Sequence, residues 1–119
     1  MKKDTSPQAV QAAHELLLWL VPQIDKFPRV RRFTLGERLE SVLLQVLELS
    51  VQAAFTRSKR EALQQANLKL ETAKHLWRLA HELRAAPVRQ YEHGARLMEE
   101  LGRQLGGWLR SQSRPETSE

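Results

Sequence analysis

The 119-residue chain contains no cysteine, which excludes disulfides, thiol catalysis and thiolate metal sites. We therefore expect a soluble protein of the reducing cytoplasm. Its longest apolar run, Leu16 to Val21, is far shorter than the ~20 residues that span a bilayer, so we expect neither a membrane helix nor a signal peptide. Proline and glycine number only five each, too few for a disordered chain. Residues 1–119 should form one domain.

Catalytic and metal-binding patterns are also missing. The chain has two aspartates and four histidines, and none of them belongs to an HExxH motif or to the Glu-x-x-His pair of di-iron bundles. No Walker glycine loop and no G-x-S-x-G elbow is present. We therefore predict a protein that is not an enzyme and that needs no metal and no cofactor.

Apolar residues recur at three- and four-residue steps in four segments, and no segment alternates as a strand does. Capping boxes at Thr34–Glu37 and Ser58–Glu61 and a proline at position 87 mark where helices begin. We predict helices over about 7–27, 35–56, 59–84 and 87–110, with flexible tails at 1–5 and 111–119. Matched lengths and short connections predict an all-α, antiparallel up-down-up-down four-helix bundle.

Positive charge is concentrated in the body of the chain. Residues 26–110 carry a net charge of +7, and the acidic residues outside this range reduce the net charge of the whole chain to +5. The densest stretch runs from Lys26 to Leu39 and sets five cations against one acid, Glu37. We interpret it as a rigid basic corner between the first two helices that binds phosphates or an acidic partner. Pairing with Asp25 or Glu37, and capping of the first helix, would occupy some of these cations. They are Lys26, Arg29, Arg31, Arg32 and Arg38.

Three further groups of cations extend the candidate surface for nucleic acid or a partner. A second cluster follows the second helix, two cations lie one turn apart on the third helix, and the least compensated cation of the fourth helix lies near its end. These residues are Arg57, Lys59, Arg60, Lys74, Arg78 and Arg110.

Glycines cluster on the fourth helix, where each weakens the helix by about 0.5–1 kcal/mol relative to alanine. We interpret them as sites of close helix packing, within the bundle or between subunits. The alternative is that Gly106 and Gly107 simply end the helix and Trp108 folds back over it. Surplus apolar residues on the first helix predict either a wide core or a subunit contact. The candidates for oligomer or tight helix packing are Trp19, Gly94, Gly102, Gly106, Gly107 and Trp108.

Two segments also carry a family resemblance. The pattern FPR-x-x-RFTLG-x-R, from Phe27 to Arg38, and LGGWL, from Leu105 to Leu109, resemble the accessory variability determinant (Avd) family of diversity-generating retroelements. That family merges into a broader group of four-helix-bundle proteins encoded within 23S ribosomal-RNA intervening sequences. The resemblance spans roughly residues 8–110. It implies a non-enzymatic partner of a reverse transcriptase that also binds RNA and DNA and forms a ring-shaped homopentamer.

The alternative is a structural or protein-interaction bundle of the intervening-sequence type, without a nucleic-acid role. Its arginines would contact acidic groups of another protein or keep the chain soluble. A helix-turn-helix DNA reader is disfavoured because all four predicted helices are long. Under the leading hypothesis, Phe33 in the basic corner is the best candidate for stacking on a base.

Overall fold

The structure, a computed structural model, describes residues 6–113 and is helical throughout that range apart from short connections. Its elements are α1 Ser6–Asp25, α2 Arg29–Arg31, a π-helical turn Arg32–Gly36, α3 Glu37–Ala54, α4 Lys59–Glu82 and α5 Val88–Ser113. The short α2, the π turn and α3 follow one another without interruption and form one helical rod. Four rods result, in agreement with the four helices predicted from the sequence.

The four rods pack side by side with neighbours in the chain also neighbours in space. α1 contacts α3 and α5, and α4 contacts the same two helices. Connections at 26–28, 55–58 and 83–87 are short, so each rod reverses the direction of the one before it. The bundle measures 54 × 21 × 20 Å. The first and third connections lie at one end, and the second lies at the other.

Each rod buries one apolar stripe in a common core. Leu16 and Leu20, which made the first helix look too apolar for a simple bundle, are fully buried and belong to a wide core. Leu68, on α4, is 69% exposed. Val88 is also exposed, because it occupies the first turn of α5 at the end of the bundle. The largest fully buried side chains include Leu39, Leu43, Leu63, Leu70, Trp77, Met98, Leu101 and Leu105.

The start of the second rod corrects the sequence prediction. Helix begins at Arg29 rather than at residue 35, so the four arginines of the basic corner lie on helical turns and only Lys26 lies in the connection. Thr34 is no cap, because its hydroxyl donates to the carbonyl of Val30 at 2.9 Å. The N–H of Glu37 donates to the carbonyl of Arg32, five residues earlier, which makes this turn π-helical.

The other helix boundaries differ less. Ser58 precedes α4 as predicted, but its side chain makes no capping hydrogen bond. α1 continues through Pro22 to Asp25. α5 extends to Ser113, so Gly106 and Gly107 do not end it. The predicted tail 1–5 and residues 114–119 lie outside the described residues. Between residues 6 and 113, no helix has both the length and the apolar character required to cross a membrane.

A buried aromatic cluster closes the end at which the first and third connections meet. Trp77, from α4, stacks on Phe27 with ring centroids 6.5 Å apart and on Tyr91 at 6.2 Å. Its indole N–H donates to the carbonyl of Tyr91 at 2.9 Å, so the polar group of this buried ring is satisfied. The Nδ1–H of His81 donates to the carbonyl of Ala86 at 2.9 Å. These contacts hold both connections against the core.

Two glycines permit the close packing of this end. A Cβ on Gly94 would lie 2.7 Å from Nε1 of Trp77, so only glycine leaves room for the indole. A Cβ on Gly36 would lie 2.8 Å from Cγ2 of Ile24 and 3.3 Å from the ring of Phe27. Gly36 ends the π turn, and the sequence pattern gave no packing reason for it.

Candidate functional site

The positive charge of the chain collects at one end of the bundle. Residues 25–32 and 83–90, which we refer to as the basic end, contain six cations and one acid. This local surplus of five equals the net charge of the entire chain. The fold creates it by bringing the first and third connections together. The six cations are Lys26, Arg29, Arg31, Arg32, Arg84 and Arg89.

The cations of the basic end are poorly neutralised within the protein. Salt bridges join Lys74 to Glu71, Arg78 to Glu82 and Arg103 to Glu100, and all of these pairs lie outside the basic end. Within the part of the chain that the structure describes, the side chains of Lys26, Arg29 and Arg31 make no hydrogen bond or ion pair. These three cations therefore remain available to an anion.

Arg32 differs from its neighbours because its side chain contacts other parts of the protein. Its side chain is half-buried, and Nη1 donates to the carbonyl of Asp25 at 3.2 Å, which covers the C-terminus of α1. Its guanidinium also lies 4.8 Å from the centroid of the Phe33 ring. Phe33 remains 55% exposed, so an aromatic surface accompanies the cations of the basic end.

Arg38 lies farther along the second rod, outside the basic end, and does not pair with Asp25 or Glu37. It lines a cavity of about 200 Å³ between α3 and α4. The lining contributes two cations, two hydroxyls and an amide, but no acid, which is a donor set that suits a phosphate. These residues are Arg38, Ser41, Val42, Gln45, Lys69 and Thr72.

The remaining predicted cations are not brought to the basic end. Arg57, Lys59 and Arg60 belong to the second connection and to the start of α4, at the opposite end of the bundle, and Arg110 lies near that end of α5. The ammonium of Lys59 donates to the carbonyls of Ala53 and Thr56, each at 2.8 Å, and thus caps the C-terminus of α3. A single chain therefore presents the predicted cations on separate surfaces.

Two exposed ion pairs on α4 and α5 shift pKa values without forming a site. The hydrogen bond to Glu82, together with its negative charge, raises the pKa of Arg78. Hydrogen bonds from Gln104 and Arg103 lower the pKa of Glu100. Exposed pairs of this kind contribute little to stability. Among the described residues, no three histidine, aspartate or glutamate side chains come together to hold a metal.

The residues predicted for packing divide into two groups. Trp19 packs edge-on against Trp77 at 6.2 Å and against the ring of His93 at 4.6 Å, and Trp108 is buried. With Gly94, these residues are engaged within the chain. The others are half-buried on α5, and a Cβ there would meet no closer atom than 3.5 Å, so packing inside the bundle does not require them to be glycine. They are Gly102, Gly106 and Gly107.

A pocket of about 310 Å³ opens at the basic end between the first and third connections. The exposed rings of Pro28 and Pro87 contribute apolar surface to it, and two alanines together with the nearly buried Phe27 and Trp77 complete the lining. Gln23 and Gln90 supply amides. Two cations, from Lys26 and from Arg84, also line it, and no acid does.

Arg84 was not among the residues predicted from the sequence, although its backbone marks it as unusual. Its φ is +68°, in the left-handed region, where a residue other than glycine costs roughly 1–2 kcal/mol. The N–H of Ala85 donates to the carbonyl of Ala80 and that of Arg84 to the carbonyl of His81, the Schellman pattern that ends many helices on glycine. One feature of the sequence could have identified Arg84: the segment Leu83–Pro87, which follows α4, contains no glycine for the left-handed position.

Comparison with known proteins adds one finding. A family model described as bAvd-like matches residues 9–112, nearly the whole chain. The matched region includes the π turn and both connections of the basic end. No curated protein and no solved structure matches the chain.

Proposed function

We propose, from the premise that this chain belongs to the bAvd-like family, that it is an accessory protein of a diversity-generating retroelement. In this role it is not an enzyme. It binds a reverse transcriptase together with RNA or DNA in the cytoplasm and so supports mutagenic cDNA synthesis. The family assignment and the Avd-like segment from Phe27 to Arg38 support the accessory role.

The observation that carries the nucleic-acid part of the proposal is the uncancelled charge of the basic end. Among residues 6–113, the side chains of Lys26, Arg29 and Arg31 make no hydrogen bond or ion pair, and the exposed ring of Phe33 follows them in the sequence. A phosphate backbone neutralises such cations and releases its counterions, so binding should weaken steeply with salt. Little sequence preference is expected from these contacts, because they do not read bases.

Assembly into a ring is supported by exposed apolar residues on two neighbouring helices. Leu44 and Val51 lie on one face of α3, Leu68 and Leu79 lie on one face of α4, and the exposed Leu83 directly follows α4. A cyclic ring joins two different surfaces of each subunit, and two separate stripes meet that requirement. The proposed number of five subunits comes from the Avd resemblance. A ring would repeat the basic end around its axis.

The test of the basic end compares two variants of equal charge. Arg29→Gln with Arg31→Gln removes two unpaired cations from the basic end, whereas Arg96→Gln with Arg103→Gln removes two from α5. Both variants carry a net charge of +3 instead of +5. Binding of single-stranded RNA is measured by fluorescence anisotropy between about 50 and 200 mM salt.

We expect the first variant to bind at least about tenfold more weakly, with a salt slope reduced by about 1.4, since each phosphate contact on a single strand contributes about 0.7. The α5 variant should bind nearly as the wild type. Arg32 is left intact because its hydrogen bond to Asp25 supports the fold. Equal affinities for the two variants would show that the basic end is not the site.

Two further measurements test the partner and the assembly. The wild type should retain its reverse transcriptase in co-purification, and light scattering after nuclease treatment in high salt should give about 69 kDa, five times the 13.8 kDa of one chain. A monomer that binds neither RNA nor the reverse transcriptase would contradict the proposal. An interaction bundle of the intervening-sequence type would then describe the protein better.

A further inference from the structure

The pocket at the basic end combines features that the charged surface around it lacks. It is concave, at about 310 Å³ near the lower limit of the ~300–1,000 Å³ typical of small-molecule sites. Its apolar part comes mainly from the exposed rings of Pro28 and Pro87, with the nearly buried, mutually stacked rings of Phe27 and Trp77 completing the lining. Its polar part comes from two amides and two cations. An extended phosphate chain alone would need neither the cavity nor the apolar wall.

We propose that this pocket takes one base of a single-stranded nucleic acid, with the adjoining phosphate on Lys26 and Arg84. Gln23 and Gln90 each offer both a donor and an acceptor, which is what hydrogen bonding to the edge of an unpaired base requires. The apolar wall receives the ring of the base. The cations neutralise the phosphate, and the absence of acids from the lining favours an anionic ligand.

The backbone of Arg84 is an independent observation that points to the same pocket. Glycine is the usual residue at the left-handed position of a Schellman helix end, and Arg84 occupies it with φ +68°. Residues held in sparsely populated backbone regions cluster at ligand-binding sites. Here the unfavourable backbone places a cation on the pocket lining where glycine would leave none. The stability of the helix end alone does not explain an arginine at this position.

The inference rests on the proposed nucleic-acid function and deepens it, because it separates one recognised base from the general attraction of the basic end. An acidic protein segment could also contact Lys26 and Arg84. It would not use the apolar lining and the two amides together, so a base accounts for more of the lining.

The decisive variant is Gln90→Leu, which removes an amide from the pocket without changing the net charge. Its matched control is Gln65→Leu, on an exposed position of α4 away from the pocket. Two probes are compared. The first is a single-stranded RNA of about 12 nucleotides, a length within the range that one binding site covers, and its binding is measured by anisotropy. The second is inorganic polyphosphate of similar charge, and its binding is measured by competition with the RNA. Polyphosphate carries the negative charge of the RNA but no bases.

We expect Gln90→Leu to weaken RNA binding about fivefold or more and to leave polyphosphate binding unchanged, since contacts to one base commonly account for such a factor. Gln65→Leu should alter neither. Wild-type protein should prefer the RNA to polyphosphate by a similar factor.

A second variant, Arg84→Gly, uses the backbone strain. It should raise the melting temperature, by up to about 4 °C, because glycine suits the left-handed position. At the same time it should weaken RNA binding about fivefold or more, and more than the control Arg89→Gln, which removes one charge from the basic end outside the pocket. Arg84→Lys should retain most of the affinity. If Arg84 had a merely structural role, its replacement would not lower the affinity for RNA while raising the melting temperature.

Failure of the inference can be distinguished from failure of the proposed function. If wild type binds RNA and Arg29→Gln with Arg31→Gln weakens it, but the pocket variants do not, the base pocket is wrong and the basic surface stands. Equal wild-type affinity for RNA and polyphosphate also overturns the pocket. The base pocket is also wrong if the Gln90→Leu variant binds RNA normally but no longer captures the reverse transcriptase, since the pocket would then bind a protein segment. No RNA binding by the wild type overturns both.

Discussion

The two ends of the bundle carry similar clusters of cations in sequence but use them in different ways. At the opposite end, Lys59 donates to two carbonyls of α3 and its connection, so its charge completes a helix terminus. At the basic end, within residues 6–113, only Arg32 has such a role, while Arg29 and Arg31 on the adjoining turns make no contact of that kind. A cluster of cations therefore becomes a candidate site only after the needs of the nearby helix termini are met.

The aromatic residues of the two ends differ in the same sense. Phe27, just before α2, is 4% exposed and stacks on Trp77, whereas Phe55, just after α3, is 86% exposed. The phenylalanine of the basic end thus belongs to a packed aromatic cluster, and the phenylalanine of the opposite end does not. A rigid aromatic cluster can hold cations in a fixed arrangement around a ligand.

The largest expected difference between the ends follows from these two phenylalanines. Phe27→Ala should lower the free energy of unfolding by about 3–5 kcal/mol, because it leaves a cavity next to Trp77. Phe55→Ala should change it by no more than about 0.5 kcal/mol, because this side chain is exposed. Urea unfolding followed by circular dichroism measures both. Similar losses for the two variants would show that the ends are packed alike.

A smaller difference is expected for one glycine near each end. Gly36→Ala should cost about 1–2 kcal/mol, because the new methyl would press on Cγ2 of Ile24, a stiff β-branched side chain. Gly106→Ala should instead stabilise by about 0.5–1 kcal/mol, since its Cβ meets only the mobile end of Arg110 at 3.5 Å. The melting temperatures of the two variants should move in opposite directions. A rise for both would mean that the π turn has room for a side chain.

The smallest comparison concerns two cations of the opposite end. Lys59→Met keeps most of the aliphatic stem but removes the ammonium, and should cost about 1 kcal/mol through the loss of two hydrogen bonds to carbonyls. Arg57→Met should stay within about 0.5 kcal/mol, because Arg57 is exposed. Chemical denaturation at equal protein concentration distinguishes them. If Arg57→Met were the more harmful change, the assignment of Lys59 as the cap would be wrong.

The helices and most of the core could be predicted from the sequence because they depend on a regular apolar period. Leu63, Ala66, Leu70, Ala73 and Trp77 recur at the expected steps and are all buried. The start of the second rod could not be predicted from the sequence, because Thr34 and Glu37 have the spacing of a capping box. Their actual hydrogen bonds go to Val30 and Arg32, an arrangement that the spacing alone cannot distinguish from a cap.

The site was predicted only in part, for a different physical reason. The sequence predicted that some cations of the basic corner cap the first helix, as Arg32 does, but it did not single out Arg32 and did not show that Lys59 caps α3. Arg84 and the pocket were missed, because they depend on the third connection folding back next to the first. Proximity of this kind comes from the topology of four antiparallel rods. The left-handed backbone conformation of Arg84 is likewise a property of the folded chain.

The π turn between α2 and α3 has a consequence for changes in chain length. A π turn contains one residue more than an α-helical turn, and it absorbs that residue locally while the helix on either side keeps its orientation. The arginines before the turn and the core stripe after it are therefore independent in register. Deletion of one residue within Arg32–Gly36 would convert the turn into regular α-helix and leave both sides facing as they do now. This segment is where the second rod can lose a residue without rotating its charge around the bundle.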